Sequence, residues 1–246
     1  MYDATLAETV QFAGADGDLL EGYAARPLDS APRGGVVVIH HLPGYDRETK
    51  EFVRRFAVMG YNAVCPNLYT RIEPGASHDD QATAARAQGG VADQQVVGDV
   101  AGAAAYLRSL SNTNGRVGVI GHCSGGRHTF LISTELSVDA AVVCYGGLIV
   151  GETPPQLPSM VPLVDRAGEV RAPILGLFGN DDQFPTPAQV DVLDEALTNA
   201  GKDHEFHRYD GAGHAFFSPD RPSYRVEAAV DGWQRIADFF GTHLAG

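Results

Sequence analysis

A cysteine stands at the centre of a glycine-framed motif in the middle of the chain. A β-branched apolar run ends in the sequence GHCSGG at residues 121–126, with Cys123 as its third residue. This spacing is typical of a strained turn between a strand and a helix, which lifts a nucleophile to the edge of a sheet. Because the first turn of a helix stabilises negative charge, we expect Cys123 to react as a thiolate.

Two later segments supply an acid and a base. Asp181 and Asp182 come just past a short apolar run, and His214 lies in a glycine-rich loop near the end of the chain. In a nucleophilic triad the thiolate attacks a carbonyl, the histidine protonates the leaving oxygen, and the aspartate orients the imidazole. We favour Asp182 as the acid, counted from Gly179, and Asp181 is the open alternative.

The oxyanion of such a reaction needs positioned N–H donors. The backbone N–H of Ser124, which follows the nucleophile, is one candidate. The second candidate is the backbone N–H of Leu42, in the loop HHLPG at residues 40–44. The hydroxyl of Ser124 is out of register with the glycines, so we do not expect it to be the nucleophile.

The elements that position these residues are predicted from apolar and helical spacing. After an edge hairpin at 9–26, we predict strands at 35–39, 61–65, 117–120, 140–144, 174–178 and 205–209. Helices are predicted at 49–59, 96–110, 126–136, 188–200 and 226–243. This alternation indicates an α/β fold with a mostly parallel central sheet and helices on both faces. Sites in such sheets form beyond the carboxyl ends of the strands, where the candidate residues lie.

Composition and charge limit the functional class. The chain is 44% hydrophobic and 20% charged, and its 246 residues suit a single α/β domain over 1–246. A net charge of −13 disfavours binding to nucleic acid or anionic lipid. No apolar stretch is long enough to span a bilayer, so we expect no membrane partner. A monomer is our expectation for the oligomeric state.

The cysteine and histidine patterns indicate neither disulfides nor metal. Three cysteines suit a reducing cytoplasm, and we expect Cys65 and Cys144 to be buried in strands. No secretory signal is apparent at the start of the chain. The remaining histidines fit no standard zinc spacing, so we expect no metal; they include His40, His41, His122, His204 and His207.

The chain resembles the dienelactone hydrolase family, also called carboxymethylenebutenolidases. The resemblance runs from about Gly17 to Phe240 and rests on GHCSGG at 121–126, GNDD at 179–182, GAGHAFF at 211–217, AVCPNLY at 63–69 and RPSY at 221–224. It implies the α/β-hydrolase fold and a Cys-Asp-His triad, with no cofactor. The implied substrate is a small ester, a cyclic enol-lactone.

Two positions depart from the family pattern. His41 stands where the resemblance implies a glutamate that controls the thiol, and Ser218 where it implies an arginine for the substrate carboxylate. An imidazole does not repel a thiolate as a carboxylate does. We therefore expect the resting thiol of Cys123 to ionise more readily than in a glutamate-bearing relative.

The substrate pocket leaves several alternatives open. Arg86, Arg127 or Arg221 could supply an anion-binding charge, and Tyr145 is a candidate pocket residue; surface solvation or ordinary packing is the alternative for each. Segments 70–95 and 151–168 are expected to cover the site. Beside lactone hydrolysis, the alternatives are a broad esterase for short-acyl or aryl esters and, from another class, a ligand-binding receptor.

Overall fold

The computed structural model describes residues 4–245, and one eight-stranded sheet organises them. The strands in chain order are β1 Thr5–Ala13, β2 Leu19–Pro27, β3 Arg33–Ile39, β4 Asn62–Pro66, β5 Thr113–His122, β6 Ala140–Cys144, β7 Ile174–Gly179 and β8 His204–Tyr209. Their order across the sheet is β1-β2-β4-β3-β5-β6-β7-β8. The β1–β2 and β2–β4 pairs are antiparallel, whereas all later neighbours are parallel. The predicted mostly parallel sheet and its edge hairpin are confirmed.

Helices connect the strands as the periodicity predicts. They are α1 Arg47–Val58, α2 His78–Ala87, α3 Asp93–Ser109, α4 Ser124–Glu135, α5 Pro187–Asn199 and α6 Val226–Leu244. Side-chain caps fix where several begin: Asp46 accepts from the N–H of Thr49 at α1, and Thr186 forms a capping box with Gln189 at α5. The sequence did not give bounds for α2 or for the short 3-10 helix Val164–Glu169.

Two apolar cores lie on opposite faces of the sheet. Alternate residues of β3 point to opposite faces, so Val37 packs into one core and Val36 and Val38 into the other. Helices α2 to α5 contribute to the first core, and α1 and α6 to the second. This arrangement confirms helices on both faces and leaves the carboxyl ends of the parallel strands along one rim.

The sequence predicts no membrane-spanning segment, and the helices of the structure can be compared with this prediction. Within residues 4–245, no helix has both the length and the apolar character needed for a membrane span. Cys65 and Cys144 are buried free thiols in β4 and β6, as expected. A single domain, a monomer and a cytoplasmic location stay predictions.

Candidate active site

Cys123 occupies a strained backbone position between β5 and α4. Its φ of 56° and ψ of −121° lie where side chains are normally disfavoured. Its N–H donates to the carbonyl of Cys144 over 3.1 Å, and its own carbonyl accepts from the N–H of Gly126 over 2.9 Å. These bonds hold the turn in place and leave the side chain partly exposed. The elbow expected from the sequence is present in this backbone geometry.

The glycines beside Cys123 are required by close backbone contacts. A Cβ at Gly121 would lie 2.1 Å from the carbonyl oxygen of Gly125. A Cβ at Gly125 would lie 2.2 Å from the carbonyl oxygen of Ile39. Both partners are backbone atoms of neighbouring elements, so they cannot move aside without moving the sheet. The glycine frame therefore brings the start of α4 directly against the end of β3.

Asp182 and His214 form a hydrogen-bonded pair. His214 Nδ1 lies 2.9 Å from Asp182 Oδ2, and the side chain of Asp182 is fully buried. The other oxygen of Asp182 accepts from the N–H of Phe184 over 2.7 Å. Asp181 is exposed. Of the two aspartates that the sequence left open, the structure pairs Asp182 with His214.

The environment of His214 favours its protonated form. Burial alone would lower the pKa of His214, but contacts with the Asp182 carboxylate and the Cys123 sulfur outweigh it and raise the pKa to about 10. Because Asp182 engages Nδ1, the ring nitrogen that remains for Cys123 is Nε2. The three side chains are therefore in one interacting group, in the order carboxylate, imidazole, sulfur.

The two candidate N–H donors lie on elements that meet at the elbow. Ser124 begins α4 directly after Cys123, and Leu42 follows β3, whose last residue Ile39 contacts the elbow. Within residues 4–245, no backbone carbonyl accepts a hydrogen bond from the N–H of Ser124 or of Leu42. Free N–H groups beside a nucleophile have the character of an oxyanion site.

Comparison with known proteins places this arrangement in a family. A model of the dienelactone hydrolase family matches residues 20–244. The chain belongs to that family. It is a hydrolase of the ester or lactone type, with the α/β-hydrolase fold.

Individual dienelactone hydrolase relatives align over nearly the whole chain. The carboxymethylenebutenolidase of Pseudomonas putida is 31% identical over 240 residues, which cover 95% of this chain and 96% of the relative. A protein of Methylorubrum extorquens named "Putative carboxymethylenebutenolidase" is 35% identical over 237 residues, covering 96% and 80%. The crystal structure of a "Putative Dienelactone Hydrolase" from Klebsiella pneumoniae superposes with a TM-score of 0.87 at 31% identity, covering 97% of this chain and 99% of that one.

His41, which replaces the glutamate implied by the family resemblance, is fixed by α1. Its Nε2 lies 2.7 Å from Oδ2 of Asp46, the N-cap of that helix. Burial would raise the pKa of Asp46, but contact with His41 and the N–H of Thr49 lowers it to about 2. His41 thus lies within the candidate oxyanion loop, next to a carboxylate that is ionised at ordinary pH. Its expected effect on thiol ionisation stays a prediction.

Two of the three arginines considered for substrate binding, Arg86 and Arg127, have different environments. Arg86 is exposed, and its Nη1 donates to the carbonyl of Leu42 over 3.3 Å, so it lies at the edge of the site. Arg127 is completely buried and donates to both oxygens of Asp93, at 2.6 and 2.9 Å. A buried guanidinium paired in this way does not reach a substrate, so the structure does not support the expected role of Arg127. It joins α4 to the start of α3.

Tyr145 supports the histidine from within the core. Its ring packs edge-on against His214 with 5.2 Å between centroids, and the residue is only 1% exposed. Burial raises the pKa of Tyr145 well above its usual range. The expected pocket contact is therefore not available to this side chain. Ser218, at the position of the arginine implied by the resemblance, is also buried and offers no charge to a substrate.

One group among residues 4–245 has the donor types of a metal site. Ligand atoms of His41, Asp46 and Glu48 lie within 4.8 Å of one another. Both oxygens of Asp46 already have partners, in His41 and the N–H of Thr49. The group also lies at the N-terminus of α1, whose positive dipole end disfavours a cation. We therefore assign it no metal.

The sequence marks His40 only as a histidine of the loop after a strand, and it gives no role to Tyr69 or Phe184. His40 and Tyr69 are both buried: His40 lies within the loop that carries Leu42, and Tyr69 contacts that loop. Phe184 is 43% exposed and covers Gly147 beside the elbow. Their contacts join segments far apart in the chain.

Proposed function

We propose that this chain hydrolyses small carboxylic esters, of which lactones of the dienelactone type are the leading class, through a Cys123 thioester. Cys123 is the nucleophile, His214 the acid and base, and Asp182 the residue that orients His214. The observation that carries this proposal is the contact between Asp182 and His214, with the Cys123 sulfur interacting with the same imidazole. Such an order of groups is what thiolate catalysis requires.

The proposed reaction has two halves. The thiolate of Cys123 forms a bond to the carbonyl carbon, and the carbonyl electron pair moves to oxygen, where the N–H groups of Ser124 and Leu42 stabilise it. The intermediate collapses by expelling the ester oxygen, which takes the proton of His214 Nε2. In a lactone the expelled oxygen stays attached to the acyl chain.

Hydrolysis of the thioester completes the cycle. His214, now neutral, accepts a proton from water as the water oxygen bonds to the acyl carbon. Collapse of the second intermediate breaks the carbon–sulfur bond and releases the acid with Cys123 again a thiolate. The raised pKa of His214 supports this cycle because it keeps a proton on the imidazole for transfer to the leaving oxygen.

Arg86 is the residue we propose for an acidic substrate. It is exposed at the edge of the site and touches the carbonyl of Leu42. Arg221 is also exposed, but its Nε lies 4.0 Å from a carboxylate oxygen of Glu48. This nearby negative charge weakens the attraction of Arg221 for an anionic ligand. A substrate carboxylate placed near Leu42 therefore meets Arg86 first. Arg86→Gln is expected to raise KM for an ester that carries a carboxylate and to leave a neutral ester unaffected.

A broader aryl esterase is the second candidate, and Phe184 favours it. Its ring is 43% exposed beside Gly147, next to the segment that contacts the elbow glycine Gly126. An exposed aromatic ring at this position can pack against an aryl leaving group. A Phe184→Ala variant that loses aryl ester turnover and keeps lactone turnover would support this candidate.

Steady-state turnover of p-nitrophenyl acetate and of a dienelactone tests the proposal. We expect turnover by the native protein, and its loss in Cys123→Ala and in His214→Ala. Arg208→Gln on β8, whose partner is Asp191 on α5, is the matched surface control. Native protein that binds lactone without turnover would instead indicate a receptor and overturn the proposal.

A further inference from the structure

The loop after β3 contains a buried histidine that the proposed reaction does not use. His40 is 2% exposed and lies two residues before Leu42. The N–H of Leu68 donates to its Nε2 over 3.1 Å, so that nitrogen carries the lone pair. A neutral ring then carries its proton on Nδ1. Burial lowers the pKa of His40 to about 4, which keeps the ring neutral at ordinary pH.

Within the part of the chain that the structure describes, the Nδ1 proton of His40 has one partner. Nδ1 lies 2.9 Å from the carbonyl oxygen of His41, which therefore accepts a hydrogen bond from the ring. The same oxygen accepts from the N–H of Gly44 over 2.8 Å. Two donors thus hold one carbonyl group. Its peptide group is the one that joins His41 to Leu42.

The N–H at the other end of this peptide group is the proposed oxyanion donor. The His41–Leu42 bond is trans, so the carbonyl oxygen and the amide hydrogen point to opposite sides. Fixing the oxygen therefore fixes the direction of the N–H of Leu42. Donors at the oxygen also polarise the peptide group, which makes its N–H a stronger donor.

Other contacts hold the rest of this loop against the same histidine. The ring of Tyr69 packs edge-on against His40 with 4.6 Å between centroids, and its hydroxyl donates to the carbonyl of Leu42 over 3.2 Å. That second carbonyl belongs to the bond before Pro43, which has no N–H. The contact of Tyr69 therefore anchors the loop. Among residues 4–245, the donors to the carbonyl of the His41–Leu42 peptide group are His40 and Gly44.

We propose that His40 is a positioning residue for ester hydrolysis: its Nδ1–H holds and polarises the His41–Leu42 peptide so that the N–H of Leu42 faces the developing oxyanion. This inference rests on the proposed function, because it assumes that Leu42 serves the oxyanion of the Cys123 reaction. His40 itself touches no substrate. Its effect is expected in the transition state and not in substrate binding.

Two substitutions separate the two nitrogens of His40. In His40→Asn the side-chain amide N–H can replace Nδ1–H, and in His40→Gln the side-chain oxygen can replace Nε2 as the acceptor for Leu68. We expect His40→Gln to lower kcat for p-nitrophenyl acetate by about 10- to 100-fold with little change in KM. His40→Asn is expected to keep most of kcat.

Alkylation of Cys123 by iodoacetamide distinguishes a positioning role of His40 from a general disturbance of the site, which would slow ester turnover and alkylation together. This reaction needs the thiolate but forms no oxyanion at a carbonyl, so its rate is expected to stay near native in both variants. His204→Gln on β8 is the matched control, because its Nδ1 also contacts a neighbouring carbonyl, that of Lys202, at 2.9 Å. It is expected to leave kcat unchanged.

Three results would overturn the inference: native kcat in His40→Gln, an equal loss in His40→Asn, or alkylation that falls in parallel with kcat. If a variant does not fold, nitrogen NMR of the native histidine rings gives the answer, because the Nε2–H tautomer of His40 would also overturn it. A native protein without ester turnover would contradict the proposed function. Turnover that is insensitive to His40→Gln would contradict only the present inference.

Discussion

His214 Nδ1 lies 2.9 Å from Oδ2 of Asp182, whose side chain is fully buried. A buried carboxylate at this position accepts the Nδ1 proton, so the imidazole holds one orientation and directs Nε2 towards Cys123. Oδ1 of Asp182 is held in turn by the N–H of Phe184 at 2.7 Å. The orientation of the base is therefore set by a backbone contact of the loop after β7, and not by the histidine loop alone.

Replacement of Asp182 by asparagine is expected to lower kcat for a small ester by about 10²- to 10⁴-fold, because the imidazole loses its fixed tautomer and the support for its charge. Steady-state kinetics measure this loss. Asp181→Asn is the matched control, since Asp181 is exposed and is expected to leave kcat unchanged. Equal losses in the two variants would contradict the assignment of Asp182.

The alkaline limb of the pH profile is expected near pH 10. Contacts with Asp182 and Cys123 raise the pKa of His214 to about 10 against the effect of burial, so His214 keeps its proton up to that pH. Activity that needs the imidazolium is lost as pH rises through about 10, and stability from the same proton falls in the same direction. A profile of kcat/KM against pH measures the limb. In Asp182→Asn it is expected to move towards neutral pH; a limb that stays in place would argue against this pair as its origin.

Gly125→Ala is expected to destabilise the fold by about 1–3 kcal/mol or more and to abolish activity, because the new Cβ meets the backbone of β3. That Cβ would lie 2.2 Å from the carbonyl oxygen of Ile39. Denaturant unfolding gives the free energy. Gly168→Ala is the control, since no atom lies within 4 Å of its added Cβ. An active Gly125→Ala protein of native stability would show that the elbow is not as tightly held as described.

His41→Glu is expected to slow alkylation of Cys123 by iodoacetamide near neutral pH. A carboxylate at this position adds negative charge beside the site and faces Asp46, which now contacts His41 at 2.7 Å, so a thiolate is less favoured. His41→Gln removes the imidazole without adding charge and serves as the control. Alkylation of His41→Glu that is as fast as native, or faster, would refute the idea that His41 favours the thiolate.

The sequence predicts the elements and site residues that are marked by short patterns of neighbouring residues. The glycines around Cys123 predict the turn from their spacing in the chain alone, although one contact that they permit is with Ile39 on the distant strand β3. The apolar run of β6 is bounded as predicted at Ala140–Cys144. Asp181 and Asp182 both follow β7, so spacing alone left the choice between them open. The burial of Asp182 decides the pairing, and burial depends on the folded neighbours.

Contacts between distant segments explain the rest. The sequence leaves Arg127 open as an anion-binding residue, but Asp93, 34 residues away, pairs with it in the core. His40 is fixed through Leu68, 28 residues away, and no local pattern announces that bond. Helix α2 is alanine-rich with charged residues on several sides, so its periodicity did not bound it within 70–95.

The most direct test of Cys123 as the nucleophile is the position of the acyl group during turnover. Native protein mixed with p-nitrophenyl acetate, quenched in acid and digested, is analysed by fragmentation mass spectrometry. We expect one acetyl group on Cys123 and none on Ser124, and no adduct in Cys123→Ala. An acetyl group located on another residue, or steady hydrolysis by Cys123→Ala, would contradict this assignment.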